Sequence, residues 1–116
     1  MILFKTEMVD LIRSGNKTQT RRFWRRPRVK AGSVHQVKTS YYHKTDLRIR
    51  ILRVWEQPLD HMTEAEAQAE GFESWAYFMA YINKIIGKRD TIAEGRRCYA
   101  VEFELCEPSP GQRAQQ

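Results

Sequence analysis

Over residues 98–105 apolar and polar side chains alternate without a break, with Tyr99, Val101, Phe103 and Leu105 on one side and Ala100, Glu102 and Glu104 on the other. A period of two predicts a strand that buries one face. Residues 47–55 carry the same pattern, Leu47, Ile49 and Ile51 alternating with Arg48 and Arg50, until the phase slips at Leu52 and Val54. A bulge or a strand covered on both faces produces such a slip, and the sequence leaves that choice open. Residues 33–40 read as a further strand through Val34 and Val37. Two helices separate the second pattern from the last. Thr63-Glu64-Ala65-Glu66 fits a capping box and opens a helix that stops at Gly71. From Ser74, an apolar stripe of Trp75, Phe78, Met79, Ile82, Ile85 and Ile86 runs to Gly87 at helical spacing and is expected in the core. Strands interrupted by a helical pair, without regular strand–helix repetition, predict a small mixed α+β fold with an antiparallel sheet flanked by helices and able to close into a barrel.

Ahead of these elements, Thr6 is expected to cap a short helix over residues 7–14, with Glu7 in its first turn, Met8, Leu11 and Ile12 as its apolar stripe and Gly15 as its stop. Residues 16–30 show neither period and include Pro27, which predicts an irregular, extended surface segment. The 116 residues suit one folding unit, expected over 1–106, with a frayed, Pro- and Gln-rich tail over 107–116. A monomer is expected.

Charge is unevenly placed. Between Leu11 and Thr45 there is no Asp or Glu, while Arg13, Lys17, Arg21, Arg22, Arg25, Arg26, Arg28, Lys30, Lys38 and Lys44 give ten positive charges, in a chain whose net charge is only +6. A block of one sign is the footprint expected of a phosphate-binding surface, and Trp24, Tyr41 and Tyr42 within it are rings on which bases can stack. Arg13, Thr18, Arg21, Arg22, Trp24, Arg25, Arg26, Arg28, Lys38, Tyr41 and Tyr42 are therefore candidate nucleic-acid contacts. Cys98 and Cys106 form neither a CxxC pair nor a ligand set with His35, His43 and His61, so free thiols and no metal or cofactor are expected. The opening residues lack a signal-peptide pattern and no stretch approaches the roughly 18 apolar residues of a membrane span, so a cytoplasmic location is expected, with no membrane partner.

Gly15-Asn16-Lys17-Thr18-Gln19-Thr20-Arg21-Arg22 resembles the Gly-x-Lys-Thr-x-Thr-x-Arg signature of ASCH domains, placed directly after a short first helix. The Val29-Lys30-Ala31-Gly32-Ser33 turn into a strand, the acidic helix with Glu70 and the closing Tyr99-Ala100-Val101-Glu102-Phe103 strand are also similar to that family, so the likeness covers about residues 1 to 105. The resemblance implies a PUA-like β-barrel flanked by helices, with a cleft where the signature meets the helical pair. It also implies RNA binding or, as in small bacterial relatives, amide hydrolysis on N4-acetylcytidine by a lysine, a threonine and a glutamate, here Lys17, Thr20 and Glu70. In that chemistry a lysine of lowered pKa takes the threonine proton, helped by repulsion from Arg21 and Arg22, while Glu70 serves the leaving nitrogen and Arg22 an oxyanion or phosphate.

The sequence departs from those amidohydrolases in the run Phe23-Trp24-Arg25-Arg26-Pro27-Arg28, which suits a ligand longer than a nucleoside. Two functions stay open: hydrolysis of an N4-acylated cytosine, and binding of single-stranded RNA or DNA without turnover. Some ASCH relatives are ribonucleases, which would use Lys17 with Tyr41 or Tyr42. The expected partner is RNA or another single-stranded nucleic acid, or a modified nucleoside.

Overall fold

The computed structural model describes residues 2–86 and 96–106; the Gly87 stop, the tail from residue 107 and the side chains of Ile85 and Ile86 lie outside the described set. The elements run α1 (Thr6–Arg13), β1 (Gln19–Arg22), β2 (Val34–Lys38), β3 (Lys44–Pro58), a 3-10 turn (Leu59–His61), α2 (Glu64–Ala69), α3 (Trp75–Ile86) and β4 (Arg97–Leu105). The strands form one antiparallel sheet in the order β1-β4-β3-β2. It curls into a half-barrel with helices packed against it.

The phase slip in β3 is a bulge. Its register against β4 shifts between Ile51 and Arg53, which leaves Leu52 exposed and lets Ile49 and Ile51 before it and Val54 after it all reach the same core. A second irregularity lies in β2 between Gln36 and Lys38. Extra residues of this kind bend a strand and sharpen its twist, which is how a strand of 15 residues follows a curled sheet.

Two apolar clusters hold the fold. The larger packs Met8, Val9 and Ile12 of α1 against Val37, Ile49, Ile51, Val101 and Phe103 of the sheet. The smaller gathers Leu59, Met62, Ala67, Phe78 and Met79 around Cys98. Hence β4 is not the half-buried strand that its alternation predicts: Val101 and Phe103 face one cluster, while Cys98 and Ala100 are buried on the opposite side. The helical pair covers that second side. Burial pushes the Cys98 thiol up to about 11, so it stays protonated in the folded chain.

At α1 the N-cap is Lys5 rather than Thr6, and no side chain caps the helix. The capping box of α2 forms as expected, Glu66 N–H donating to Thr63 Oγ1 at 3.1 Å and Thr63 N–H to Glu66 Oε1 at 3.0 Å. Residues 16–30 depart most from expectation. They contain β1, in which Gln19, Thr20 and Arg21 are buried, and only Arg25, Arg26, Pro27 and Arg28 form a continuous exposed run. Polar side chains went inside because partners await them there.

Gly71 links this fold to its site. Its φ is +100°, and a Cβ built there would lie 2.8 Å from Leu11 Cδ1, whereas Gly15, at φ +83°, has open space. Gly71→Ala is expected to lower stability by about 2–4 kcal/mol through left-handed strain plus overpacking, and Gly15→Ala by about 1–2 kcal/mol through strain alone. Urea unfolding of the two variants measures the difference.

Candidate functional site

Backbone bonds pin the signature segment from two sides. Lys17 N–H donates to Leu11 O at 3.0 Å, Thr18 N–H to Ala69 O at 2.7 Å, and Thr18 O accepts from Phe103 N–H at 2.9 Å. The segment is thus stitched to the ends of α1 and α2 and to β4. Glu70, the C-cap of α2, is thereby set beside Lys17.

The Lys17 amine donates to Glu70 Oε1 at 2.8 Å and to Glu70 O at 2.9 Å, with both residues 3% exposed. The second carboxylate oxygen, Glu70 Oε2, accepts from Arg21 Nη1 at 3.1 Å. All five N–H groups of Arg21 are used: the rest reach Gln19 Oε1, Glu66 Oε2 and, twice, Gln57 Oε1 at 2.8 to 3.0 Å. Gln19 in turn donates to Glu102 Oε2 at 3.2 Å. Two buried cations meet two carboxylates, which is the condition under which such charges are tolerated in an interior.

Alternation along β1 sends Thr20 and Arg22 to the other face. Arg22 Nε donates to Thr20 Oγ1 at 3.2 Å, and the guanidinium lies 4.9 Å over the Phe4 ring. Lys17, Thr20, Arg22 and Glu70 line one cavity of about 230 Å³, with Phe4, Phe23, Phe72 and Tyr81 on its apolar walls. The Tyr81 hydroxyl donates to Glu7 Oε1 at 3.4 Å, joining α3 to α1, and burial beside that carboxylate raises its pKa.

Burial lowers the Lys17 pKa below the ordinary lysine value; Glu70 opposes the shift, and Arg22 and Arg21 assist it. Desolvation also lowers that of Arg22, with Glu70 working against it. The arginine repulsion expected from the sequence is therefore present but secondary to burial.

The remaining candidates fall elsewhere. Arg21 is no phosphate contact, because its donors are spent inside the protein. Trp24 is half-buried against the larger core, and Arg13 forms an exposed pair with Asp46 at 3.0 Å. Thr18 is exposed, and the half-buried Lys38 receives Phe4 N–H on its carbonyl at 2.8 Å. Arg25, Arg26 and Arg28 are exposed, as are Tyr41 and Tyr42, whose rings meet edge to face at 5.2 Å. Neither the three arginines nor the tyrosine pair lines the cavity. Sequence reasoning missed Glu66, although its spacing of four from Glu70 puts both carboxylates on one helix face. It also missed Phe4, Phe23, Phe72 and Tyr81, which no local pattern separates from core aromatics. Among the described residues no group of His, Cys, Asp and Glu could hold a metal, and no helix is long and apolar enough to cross a membrane.

An ASCH domain from Lactobacillus crispatus JV V101 superposes with a TM-score of 0.70 at 18% identity, covering 83% of this chain and 68% of that one. This chain has an ASCH-like fold. A DUF984 protein from Enterococcus faecalis V583 gives the same TM-score of 0.70 at 19% identity, over 93% of this chain and 72% of that one. The hypothetical protein PH0355 gives 0.65 at 16% identity, over 90% and 95%. No family model and no curated protein matches the sequence.

In this ASCH-like fold the Lys17–Glu70–Arg21 network should carry much of the stability. Glu70→Gln is expected to cost roughly 3–5 kcal/mol by leaving buried cations short of a countercharge, and Lys17→Met added to it should recover part of that loss. Chemical denaturation of the single and double variants checks both.

Proposed function

We propose that this protein binds an N4-acylated cytosine in the cavity and hydrolyses its amide. The observation that carries the proposal is that Lys17, Thr20, Glu70 and Arg22, four polar residues from the signature and α2, line one aromatic-walled cavity. At about 230 Å³ it lies below the usual 300–1,000 Å³ of drug-sized pockets and suits one base rather than a run of them.

Thr20 Oγ1 accepts from Arg22, so its own proton is free to leave and the adjacent guanidinium stabilises the oxygen as it gains charge. A neutral Lys17 amine has two N–H groups and one lone pair. Its two bonds to Glu70 occupy both N–H groups, which leaves the lone pair to take the threonine proton. Thr20 Oγ1 attacks the acyl carbon, the C–N bond breaks, and Lys17 returns the proton to the departing cytosine nitrogen. Water then cleaves the acyl-threonine ester, releasing the carboxylic acid. Glu70 acts here as a positioning residue for Lys17. Both of its oxygens already accept bonds, from Lys17 and Arg21, which argues against a direct role for Glu70 at the leaving nitrogen.

Incubation with N4-acetylcytidine, followed by chromatography of cytidine, tests the reaction. Thr20→Ala and Lys17→Ala are each expected to reduce the rate by about 10²–10⁴-fold, and a rate indifferent to both overturns the proposal. Because the base works unprotonated and its pKa is lowered, activity should rise with pH and level off below the ordinary lysine range near about 10.4. A pH–rate profile that still climbs past that value contradicts the role of Lys17.

A second reading, binding of single-stranded nucleic acid without turnover, is favoured by the exposed Arg25, Arg26 and Arg28 and the exposed Tyr41–Tyr42 pair. It requires an oligonucleotide affinity that falls steeply as salt rises, together with no release of cytidine.

A further inference from the structure

Arg22 is the one cation of the signature that the interior does not neutralise. Lys17 and Arg21 share Glu70, and Arg21 also holds Glu66. Arg22 has a single protein hydrogen bond among the described residues, from Nε to Thr20, and a stacking contact with Phe4. Its terminal nitrogens Nη1 and Nη2 donate to nothing described. No fully buried side-chain nitrogen or oxygen in the described set lacks a partner, so these nitrogens are accessible, and Arg22 lines the cavity.

A half-buried guanidinium with its fork open is poorly matched by a neutral ligand. Its four free N–H groups lie in the geometry that pairs in parallel with two oxygens of a phosphate or carboxylate. Lys5, a further cation on the cavity lining, adds to the positive field there. The aromatic walls on the other side ask for a flat apolar body. Resting on the base-binding reading above, we infer that the ligand enters as a phosphorylated nucleotide, its phosphate held by the Nη1–Nη2 fork of Arg22 and its base against the aromatic walls. A free nucleotide and a nucleotide within an RNA strand present the same phosphate chemistry.

Calorimetric titration of the full chain with cytidine and with cytidine 5′-monophosphate, at low salt, tests the assignment without turnover. The monophosphate is expected to bind at least about tenfold tighter, the effect of one charge-assisted hydrogen-bonded pair. Arg22→Gln should abolish that preference, and Arg22→Lys, which keeps the charge but loses the fork, should retain only part of it. Circular dichroism of each variant establishes that it is folded, and the wild-type preference stands as a test independent of both. Equal affinity for the two ligands in the wild type, or a preference that survives in folded Arg22→Gln, overturns the phosphate assignment while leaving base binding intact. Binding of neither ligand overturns base binding and this inference together. A cytidine oligonucleotide that binds tighter than the monophosphate identifies an RNA strand as the source of the phosphate; weaker binding identifies the free nucleotide.

Discussion

The ion pair between Lys17 and Glu70, 2.8 Å long and almost wholly buried, is the contact on which the arrangement of this protein depends. Burying either charge alone would cost several kcal/mol. Together, and with Arg21 and Glu66 completing the set, they form a neutral cluster whose side-chain polar atoms are all bonded. The cluster also fixes where three pieces of chain lie. Lys17 follows α1, Arg21 belongs to β1, Glu66 belongs to α2 and Glu70 caps its C-terminus, so the charges can be satisfied only when those elements occupy one set of positions. Apolar packing tolerates small slides; a network with five donors committed on one guanidinium does not.

That constraint divides the signature between two tasks. Successive residues of β1 point to opposite faces, so Gln19 and Arg21 enter the network, Arg21 also reaching the cavity lining, while Thr20 and Arg22 pair with each other at the cavity. A one-residue slip against β4 would exchange the two sets and put Arg22 where the carboxylates are. The register Thr20↔Val101, Arg21↔Ala100 is held by the bond from Phe103 N–H to Thr18 O at one end, and by the charge cluster from the side. Stability and the candidate chemistry thus rest on neighbouring residues of the same four-residue strand.

Much of the scaffold was legible in the sequence. The capping box at Thr63, the period of β4 and the phase slip at Leu52 each report a local rule, and local rules survive in a single sequence. The two-sided burial of β4 was not legible, because alternation tells which face is apolar and not whether small residues such as Cys98 and Ala100 will be covered by a distant helix. The burial of Lys17, Gln19, Thr20 and Arg21 was missed for a related reason. Polarity predicts exposure only while no partner is available, and the partners lie at Gln57, Glu66, Glu70 and Glu102, far along the chain. For the site, the signature and Glu70 were found through a family resemblance. The commitment of Arg21 to the interior and the openness of Arg22 are indistinguishable in two adjacent arginines until the pleat assigns each a face.

The signs of the effects on Lys17 show how phosphate binding and base catalysis can share one cavity. An anion held by Arg22 would screen one of the repulsions that favour a neutral amine, and so would act against the chemistry. Yet Arg22 stands behind burial among the causes of the lowered pKa, and burial leads. A base seated on Phe72 and Tyr81, as proposed, would displace water from the cavity that Lys17 lines and so strengthen the leading effect. The Glu70 carboxylate, opposing throughout, keeps the amine in hydrogen-bonded position in either protonation state, since both the ammonium and the neutral amine can make the two bonds observed. On the proposed reading, a flat base in the cavity favours the neutral Lys17 amine by excluding water, and an accompanying phosphate opposes it by attracting the ammonium.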